Sequence, residues 1–159
     1  MMDDPIGFFF TWVTYGTWLP GDSRGWVEHR HGWRPAQPAL ELESAARMTE
    51  DACWLSHQQR KAVEDQVAET CLHRRWRLHA ANCRTNHLHA VVSAPGTPPK
   101  KIRADLKAWA TRRLKLQFVA DRKNWWAERG STRWLWAEDD LDAAVQYVAE
   151  GQGRRGGCG

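Results

Sequence analysis

The chain has 159 residues and a mass of 18.3 kDa, which predicts a single domain over residues 1–159. Hydrophobic residues make up 42% and charged residues 26%, and no apolar run approaches the roughly 18 residues of a membrane span, so disordered and transmembrane classes are excluded. The apolar stretch 6–13 lacks a basic flank, so we expect a cytoplasmic protein with no membrane partner. The net charge of +4 permits nucleic-acid binding without requiring it.

The cysteines predict buried, reduced thiols. Four are present, without CxxC spacing: Cys53, Cys71, Cys83 and Cys158. This pattern predicts neither a disulfide framework nor a four-thiolate zinc site.

The first half of the chain predicts a strand, a long loop and a helix. Residues 8–14 are aromatic and β-branched, which is typical of a buried strand. Residues 16–46 are rich in glycine and proline, with Pro38 opposing a helix, and they alternate indoles with arginines. Such a loop is typical of a single-strand binding groove, or of indoles that cover the sheet. Thr49 is the expected N-cap of a helix that ends near Arg74.

The second half predicts a hairpin, a basic helix, a short strand and a final helix. The hairpin strands span residues 76–83 and 87–94, and the basic helix spans residues 100–115. A strand at 133–137 and a helix at 140–150, capped by Asp139, follow. A Gly/Arg-rich tail occupies residues 153–159.

This order of elements predicts the fold class. It favours an α+β domain in which an antiparallel sheet carries helices on one face. The nearest template is the ferredoxin-like, or split βαβ, arrangement.

The sharpest local feature is the histidine pair His87 and His89 on the second hairpin strand. Side chains two residues apart on a strand share one face, so both imidazoles should lie together while Leu88 and Ala90 face the core. Neutral imidazole is a common metal ligand. The pair therefore predicts a metal site, or else two histidines that are hydrogen-bonded within the sheet.

A tyrosine near a glutamine in the final helix gives this pair a context. Tyr147 is one of only two tyrosines, and Gln152 follows it closely. Two histidines on a strand, then a basic helix, then a helical tyrosine, resemble the single-tyrosine HUH transposase superfamily. The whole chain resembles its REP-associated tyrosine transposases, from TYGTWLPG at 14–21 through NHLH at 86–89 to the tyrosine helix. The resemblance implies the HUH variant of the split βαβ fold.

The resemblance also implies a reaction. Tyr147 would attack a DNA phosphorus atom, giving a 5′-phosphotyrosine link and a free 3′-hydroxyl, so the chain would nick single-stranded DNA and transfer strands. The substrate would be single-stranded or hairpin DNA, and a divalent ion, Mg²⁺ or Mn²⁺, would be bound by His87 and His89. Relatives act either as monomers or as homodimers that exchange the tyrosine helix, and both states remain open for this chain.

The third metal ligand departs from the family pattern. It is usually a polar residue four positions after the tyrosine, which is Gly151 here. Gln152 is the favoured replacement and Glu150 the alternative. On a continuous α-helix they would lie about 140° and about 60° from Tyr147, so Gln152 requires the helix to unwind at Gly151.

Basic residues interleaved with indoles predict the DNA-binding surface, because cations neutralise the backbone and indoles stack on bases. The candidates are Arg24, Trp26, Arg30, Lys100, Arg103 and Lys107. Two alternatives to the enzyme remain. The chain could be a non-catalytic single-stranded nucleic-acid-binding domain, since this sheet topology also serves as a stacking platform, or a decayed transposase relative, because of Gly151.

Overall fold

The computed structural model describes residues 4–28 and 31–151. Its elements in chain order are β1 (Gly7–Thr14), β2 (Trp26–Glu28), β3 (Gly32–Arg34), α1 (Pro38–Ala46), α2 (His57–Arg74), β4 (Arg77–Cys83), β5 (His87–Ser93), α3 (Pro99–Gln117), β6 (Trp126–Leu135) and α4 (Glu138–Gln146). A π-helix, Tyr147–Gly151, continues α4 and is called the π turn below. Within the described ranges, no helix combines the length and apolar character that a membrane crossing requires.

Four of the strands form one sheet in the order β4-β5-β1-β6. Each neighbouring pair is antiparallel. The connection from β1 to β4 contains α2, and the connection from β5 to β6 contains α3, so the chain consists of two split βαβ units. The predicted α+β class and ferredoxin-like topology are confirmed.

Helices cover both faces of this sheet, whereas the sequence predicted helices on one face. On the first face, Leu88, Ala90 and Val92 of β5 pack in a core with α2 and α3. On the opposite face, Val91 packs in a second core with α4 and with Val148 of the π turn. We call these the α2–α3 face and the α4 face. The sequence prediction missed the second core because α4 is short and only Leu141 and Ala144 of its nine residues are buried.

The predicted loop 16–46 is a small ordered insertion between β1 and α2. Strands β2 and β3 form an antiparallel hairpin, and α1 follows. Pro38 is the first residue of α1 rather than an obstacle to it, because the first helical position needs no backbone N–H donor. Inside the insertion, Trp18 Nε1 donates to Gly25 O at 2.8 Å, so at least this indole stabilises the loop itself.

Three predicted boundaries were wrong for identifiable reasons. Helix α2 begins after Ser56 rather than Thr49, because Ser56 and Gln59 form a reciprocal capping box. Strand β6 begins at Trp126 rather than Arg133, because it pairs along the whole of β1 despite an internal glycine. Helix α4 begins at Glu138 and has no side-chain cap, so Asp139 lies in its first turn instead. The tail at 153–159 lies outside the described residues.

Candidate active site

Strand β5 places both histidines on the α4 face. His89 pairs in register with Thr11 of β1, and His87 pairs with Val13. Their ring centroids are 5.0 Å apart. His89 is only 8% exposed, and His87 is half-buried. The predicted alternation along β5 is therefore confirmed, with the imidazoles on one face and the core residues on the other.

Each histidine has a hydrogen-bond partner on its Nδ1 atom. Asn86 Oδ1 accepts from His87 Nδ1 at 2.9 Å, so the neutral ring carries its lone pair on Nε2. The His89 Nδ1 atom is hydrogen-bonded to Thr11 Oγ1 at 2.7 Å. Metal-binding histidines commonly use one ring nitrogen for such a supporting contact and the other for the ion. Nε2 is therefore the nitrogen left for an ion on His87, and also on His89 when Thr11 Oγ1 accepts from Nδ1.

Burial keeps both imidazoles neutral. It lowers the pKa of His89 to about 4, and the neighbouring His87 contributes further. Burial also lowers the pKa of His87, with a smaller contribution from the positive charge of Arg84. Only a deprotonated imidazole nitrogen can bind a metal ion. The pair is thus in its ligand-competent form at neutral pH.

Tyr147 lies beside this pair. Its ring centroid is 5.6 Å from that of His89, and Phe9 of β1 contacts both rings, at 5.3 Å from His89 and 5.9 Å from Tyr147. Tyr147 is 40% exposed. The structure therefore brings together a solvent-accessible phenol and two neutral imidazoles, although Tyr147 is 58 positions from His89 in the sequence, as 147 − 89 gives.

The π turn holds Tyr147 against the sheet. Tyr147 is the first of its five residues, and the next residue, Val148, is fully buried in the core of the α4 face. Asn82 Nδ2 of β4 donates to Val148 O at 3.5 Å. Single π turns within helices occur frequently at functional sites. Here the wide turn is fixed on one side by Val148 packing and on the other by the edge strand.

A metal ion fits the two histidines but needs further ligands. In the parts of the chain that the structure describes, no group of three His, Cys, Asp or Glu side chains is arranged to bind an ion. The alternative ligand Glu150 is exposed, and it accepts from Gln146 Nε2 at 3.4 Å. The favoured ligand Gln152 lies outside the described residues. The described donor set is therefore two imidazoles.

Comparison with known proteins decides the fold. No protein-family model matches the chain, and no curated protein matches it. Among solved structures, a REP-associated tyrosine transposase bound to a REP hairpin matches with a TM-score of 0.59 and 14% identity, over 98% of this chain and 72% of that one. A candidate transposase from Deinococcus radiodurans R1 matches with a TM-score of 0.54 and 15% identity, over 95% and 93%. The chain has a tyrosine-transposase fold.

Within this transposase fold, two predicted DNA-binding residues of the insertion make contacts of their own. Arg24 Nε and Nη2 donate to Asp22 at 2.8 and 2.6 Å, and its guanidinium stacks 4.0 Å above the Trp18 ring. Trp26 Nε1 donates to Pro35 O at 3.1 Å. Arg30 lies outside the described residues. Arg24 and Trp26 therefore stabilise the insertion, and their contact with DNA stays a prediction.

Two of the three predicted cations on α3 reach towards β6. Arg103 Nη1 donates to Thr132 Oγ1 at 3.0 Å and to Gly130 O at 3.2 Å. Lys107 Nζ donates to Ala127 O at 2.9 Å. Burial lowers the pKa of Lys107 to about 8, and Arg103 contributes to this shift. Only Lys100 of this set is exposed at the start of the helix.

Three residues that position the site were not predicted from the sequence. Asn86 and Thr11 support the two imidazoles, and Phe9 packs against both His89 and Tyr147. The position of Asn86 directly before the histidine pair was an available signal. Thr11 and Phe9 could be found only from the register between β1 and β5, which the sequence does not reveal.

Proposed function

We propose that this chain is a DNA transposase that cleaves and rejoins single-stranded DNA, with Tyr147 as the nucleophile. The observation that carries the proposal is the cluster of an accessible tyrosine with two neutral, Nδ1-supported histidines on one face of the sheet. The fold supports the same conclusion, because one structure that shares it is a transposase bound to a REP hairpin. We therefore propose single-stranded or hairpin DNA as the substrate.

In the proposed reaction the Tyr147 oxygen forms a bond to a backbone phosphorus atom as the bond from phosphorus to the 3′-oxygen breaks. The phenolic proton is lost, and the leaving 3′-oxygen gains a proton. The products are a 5′-phosphotyrosine link and a free 3′-hydroxyl. Because the covalent link retains the phosphodiester energy, a second 3′-hydroxyl can reverse the step and join two strands.

His87 and His89 would bind Mg²⁺ or Mn²⁺ through Nε2, with phosphate oxygens among the remaining ligands. A bound divalent ion neutralises phosphate charge and orients the phosphate for in-line attack. This chain supplies the rest of the geometry. Phe9 packs against the tyrosine ring, the buried Val148 fixes the backbone next to it, and Asn86 and Thr11 support the imidazoles.

We propose Gln152 rather than Glu150 as the third protein ligand. Glu150 is exposed and is not grouped with the histidines. The position four residues after Tyr147, where the third ligand is expected, is Gly151, which has no side chain that could bind an ion. The next polar residue along the chain is Gln152.

The test is covalent capture of DNA. The purified protein is incubated with labelled hairpin oligonucleotides that carry a randomised single-stranded flank, with Mn²⁺, Mg²⁺ or EDTA, and run on a denaturing gel. We expect a metal-dependent protein–DNA band that is lost in Tyr147→Phe and in the His87→Ala/His89→Ala double variant. Tyr15→Phe is the matched control and should retain the band, because the Tyr15 hydroxyl has a structural role: it accepts a hydrogen bond from Thr49 N at 2.9 Å.

The same gel separates the alternatives. Binding of the oligonucleotides without a covalent band in any metal would support a non-catalytic binding domain or a decayed transposase instead. For the third ligand, Gln152→Ala should weaken Mn²⁺ binding and reduce the band, whereas Glu150→Ala should do neither. The reverse result would assign the ligand to Glu150.

A further inference from the structure

The α4 face extends beyond the tyrosine site to the edge strand β6. Thr11 pairs with His89 on one side and with Ser131 on the other. In the adjacent row, Phe9 pairs with Arg133 of β6. Residues directly opposite each other in neighbouring strands project to the same face. Ser131 and Arg133 therefore share the face of the two imidazoles and Tyr147.

This outer part of the face is open to solvent. Leu135, near the end of β6, is fully buried in the core formed with α4. Arg133 and Ser131, two and four residues earlier, are both exposed. Helix α4 thus covers one end of the strand and leaves an uncovered strip beside Phe9. A polymer that reaches Tyr147 from the β6 side must cross this strip.

On this strip, Arg133 is a cation whose charge is not paired within the described structure. It makes no hydrogen bond or ion pair with the residues that the structure describes. By contrast, Arg103 and Lys107 donate to β6 itself from the opposite side. Neighbouring strands are about 4.8 Å apart, so the long Arg133 side chain can extend across Phe9, whose ring is 5.9 Å from that of Tyr147.

We propose that Arg133 binds a backbone phosphate of the single-stranded DNA that occupies the tyrosine site. The inference rests on the proposed function for its substrate. A planar guanidinium binds phosphate through two parallel N–H···O bonds, which fixes orientation as well as neutralising charge. Arg133 would therefore anchor the strand across β1 and β6, with the next phosphates lying towards Tyr147 and the histidines.

The experiment measures DNA binding without chemistry. A fluorescein-labelled hairpin with a single-stranded flank is titrated by anisotropy in EDTA, with every variant built on Tyr147→Phe so that no covalent product forms. We expect Arg133→Ala to weaken binding about tenfold and to reduce the salt dependence of log K by about 0.7, the value for one phosphate contact on a single strand. Arg133→Lys should keep the salt dependence with an intermediate affinity.

Arg77→Ala is the matched control. Arg77 is an exposed arginine on the other edge strand, β4, and pairs with Ser93 at the end of β5 farthest from His87. The Arg77→Ala variant should bind the hairpin with the same affinity and salt dependence as the parent. Circular dichroism melts check that each variant is folded. A folding defect would lower the fraction of protein that can bind DNA, but it would not change the slope of log K against log salt concentration.

The outcomes separate this inference from the proposed function. If Arg133→Ala keeps the parent affinity and slope, or Arg77→Ala weakens binding equally, the phosphate anchor is wrong even where the covalent band forms. If Arg133→Ala weakens binding as expected but no covalent band is ever seen, the anchor stands and the nuclease proposal fails. If no variant binds the hairpin, both fail.

Discussion

The side chain of Asn86 provides the sharpest test of the proposed metal site. It contacts the His87 ring without itself belonging to the predicted ligand set, and its Oδ1 accepts from Nδ1 at 2.9 Å. In Asn86→Ala this acceptor is lost. Without this acceptor, the Nδ1–H of the half-buried ring has no hydrogen-bond partner, so the tautomer that is protonated on Nε2 becomes favoured. That tautomer has no lone pair on Nε2 with which to bind the ion.

The expected magnitude follows from one hydrogen bond. A net contribution of about 1 kcal/mol for such a bond corresponds to roughly a fivefold loss of affinity, and loss of a supporting partner on a metal-bound histidine typically costs about 10- to 100-fold. We therefore expect Asn86→Ala to weaken Mn²⁺ binding by about tenfold, or about 1.4 kcal/mol. Asn86→Asp retains an acceptor and should bind at least as tightly as the parent.

The assay is isothermal titration calorimetry of Mn²⁺ into the DNA-free protein at neutral pH. Asn124→Ala is the matched control, because Asn124 donates to Glu50 Oε1 at 2.8 Å and supports a distant loop. The His87→Ala variant sets the scale for loss of a ligand. If Asn86→Ala and the parent bind Mn²⁺ equally while His87→Ala binds it weakly, the tautomer argument is refuted.

Three further predictions concern side chains that are buried on the two faces of the sheet. Val148→Ala removes two buried methyl groups and should lower the free energy of unfolding by about 2 kcal/mol in urea titrations. The covalent protein–DNA band should decrease by more than the fraction of folded protein does. An unchanged urea midpoint would contradict the packing of the π turn. The pKa of Lys107 is lowered to about 8 by burial, whereas an unfolded lysine titrates near 10.4. The unfolded state therefore binds more protons between these values, so the free energy of unfolding should rise between about pH 8 and 10 relative to that of Lys107→Met. If the two proteins show the same dependence of stability on pH, the lowered pKa of Lys107 is wrong. Finally, the three described cysteines are buried, and burial raises the pKa of Cys71 to about 12, so a Cys158→Ser protein should react with Ellman's reagent at pH 8 only on unfolding; rapid labelling of the native protein would disprove it.

Elements with a clear period could be predicted from the sequence. The alternation in β5 correctly separated His87 and His89 from Leu88, and the four-residue spacing of Val63 and Val67 in α2 is typical of the buried face of a helix, which both residues occupy. Both signals are local and depend only on which face meets the core. The existence of these elements, and the sheet topology that follows from their order, required no long-range information.

Other features depend on packing between distant segments. The sequence around Tyr147 reads as an ordinary helix, and the π turn arises where Val148 packs against the sheet. The length of β6 was underestimated because Gly130 interrupts its pattern, whereas in the fold Gly130 passes so close to Thr11 O that a Cβ atom there would lie 2.7 Å away. Such a glycine weakens a strand signal while permitting the close strand pairing.

Charge placement, rather than total charge, would determine where the proposed DNA substrate binds. The sequence predicted DNA binding by α3 because the solvent face of this helix is basic. In the structure, however, Arg103 and Lys107 donate hydrogen bonds to β6, and Arg24 forms an ion pair with Asp22. A cation that already neutralises a carboxylate, or that caps buried carbonyls, must lose those contacts before it can bind phosphate. Arg133 is exposed and has no partner among the described residues, so it would bind phosphate without that cost. The backbone of the substrate is therefore expected to follow the α4 face towards β6, where Arg133 and the tyrosine site lie on one surface.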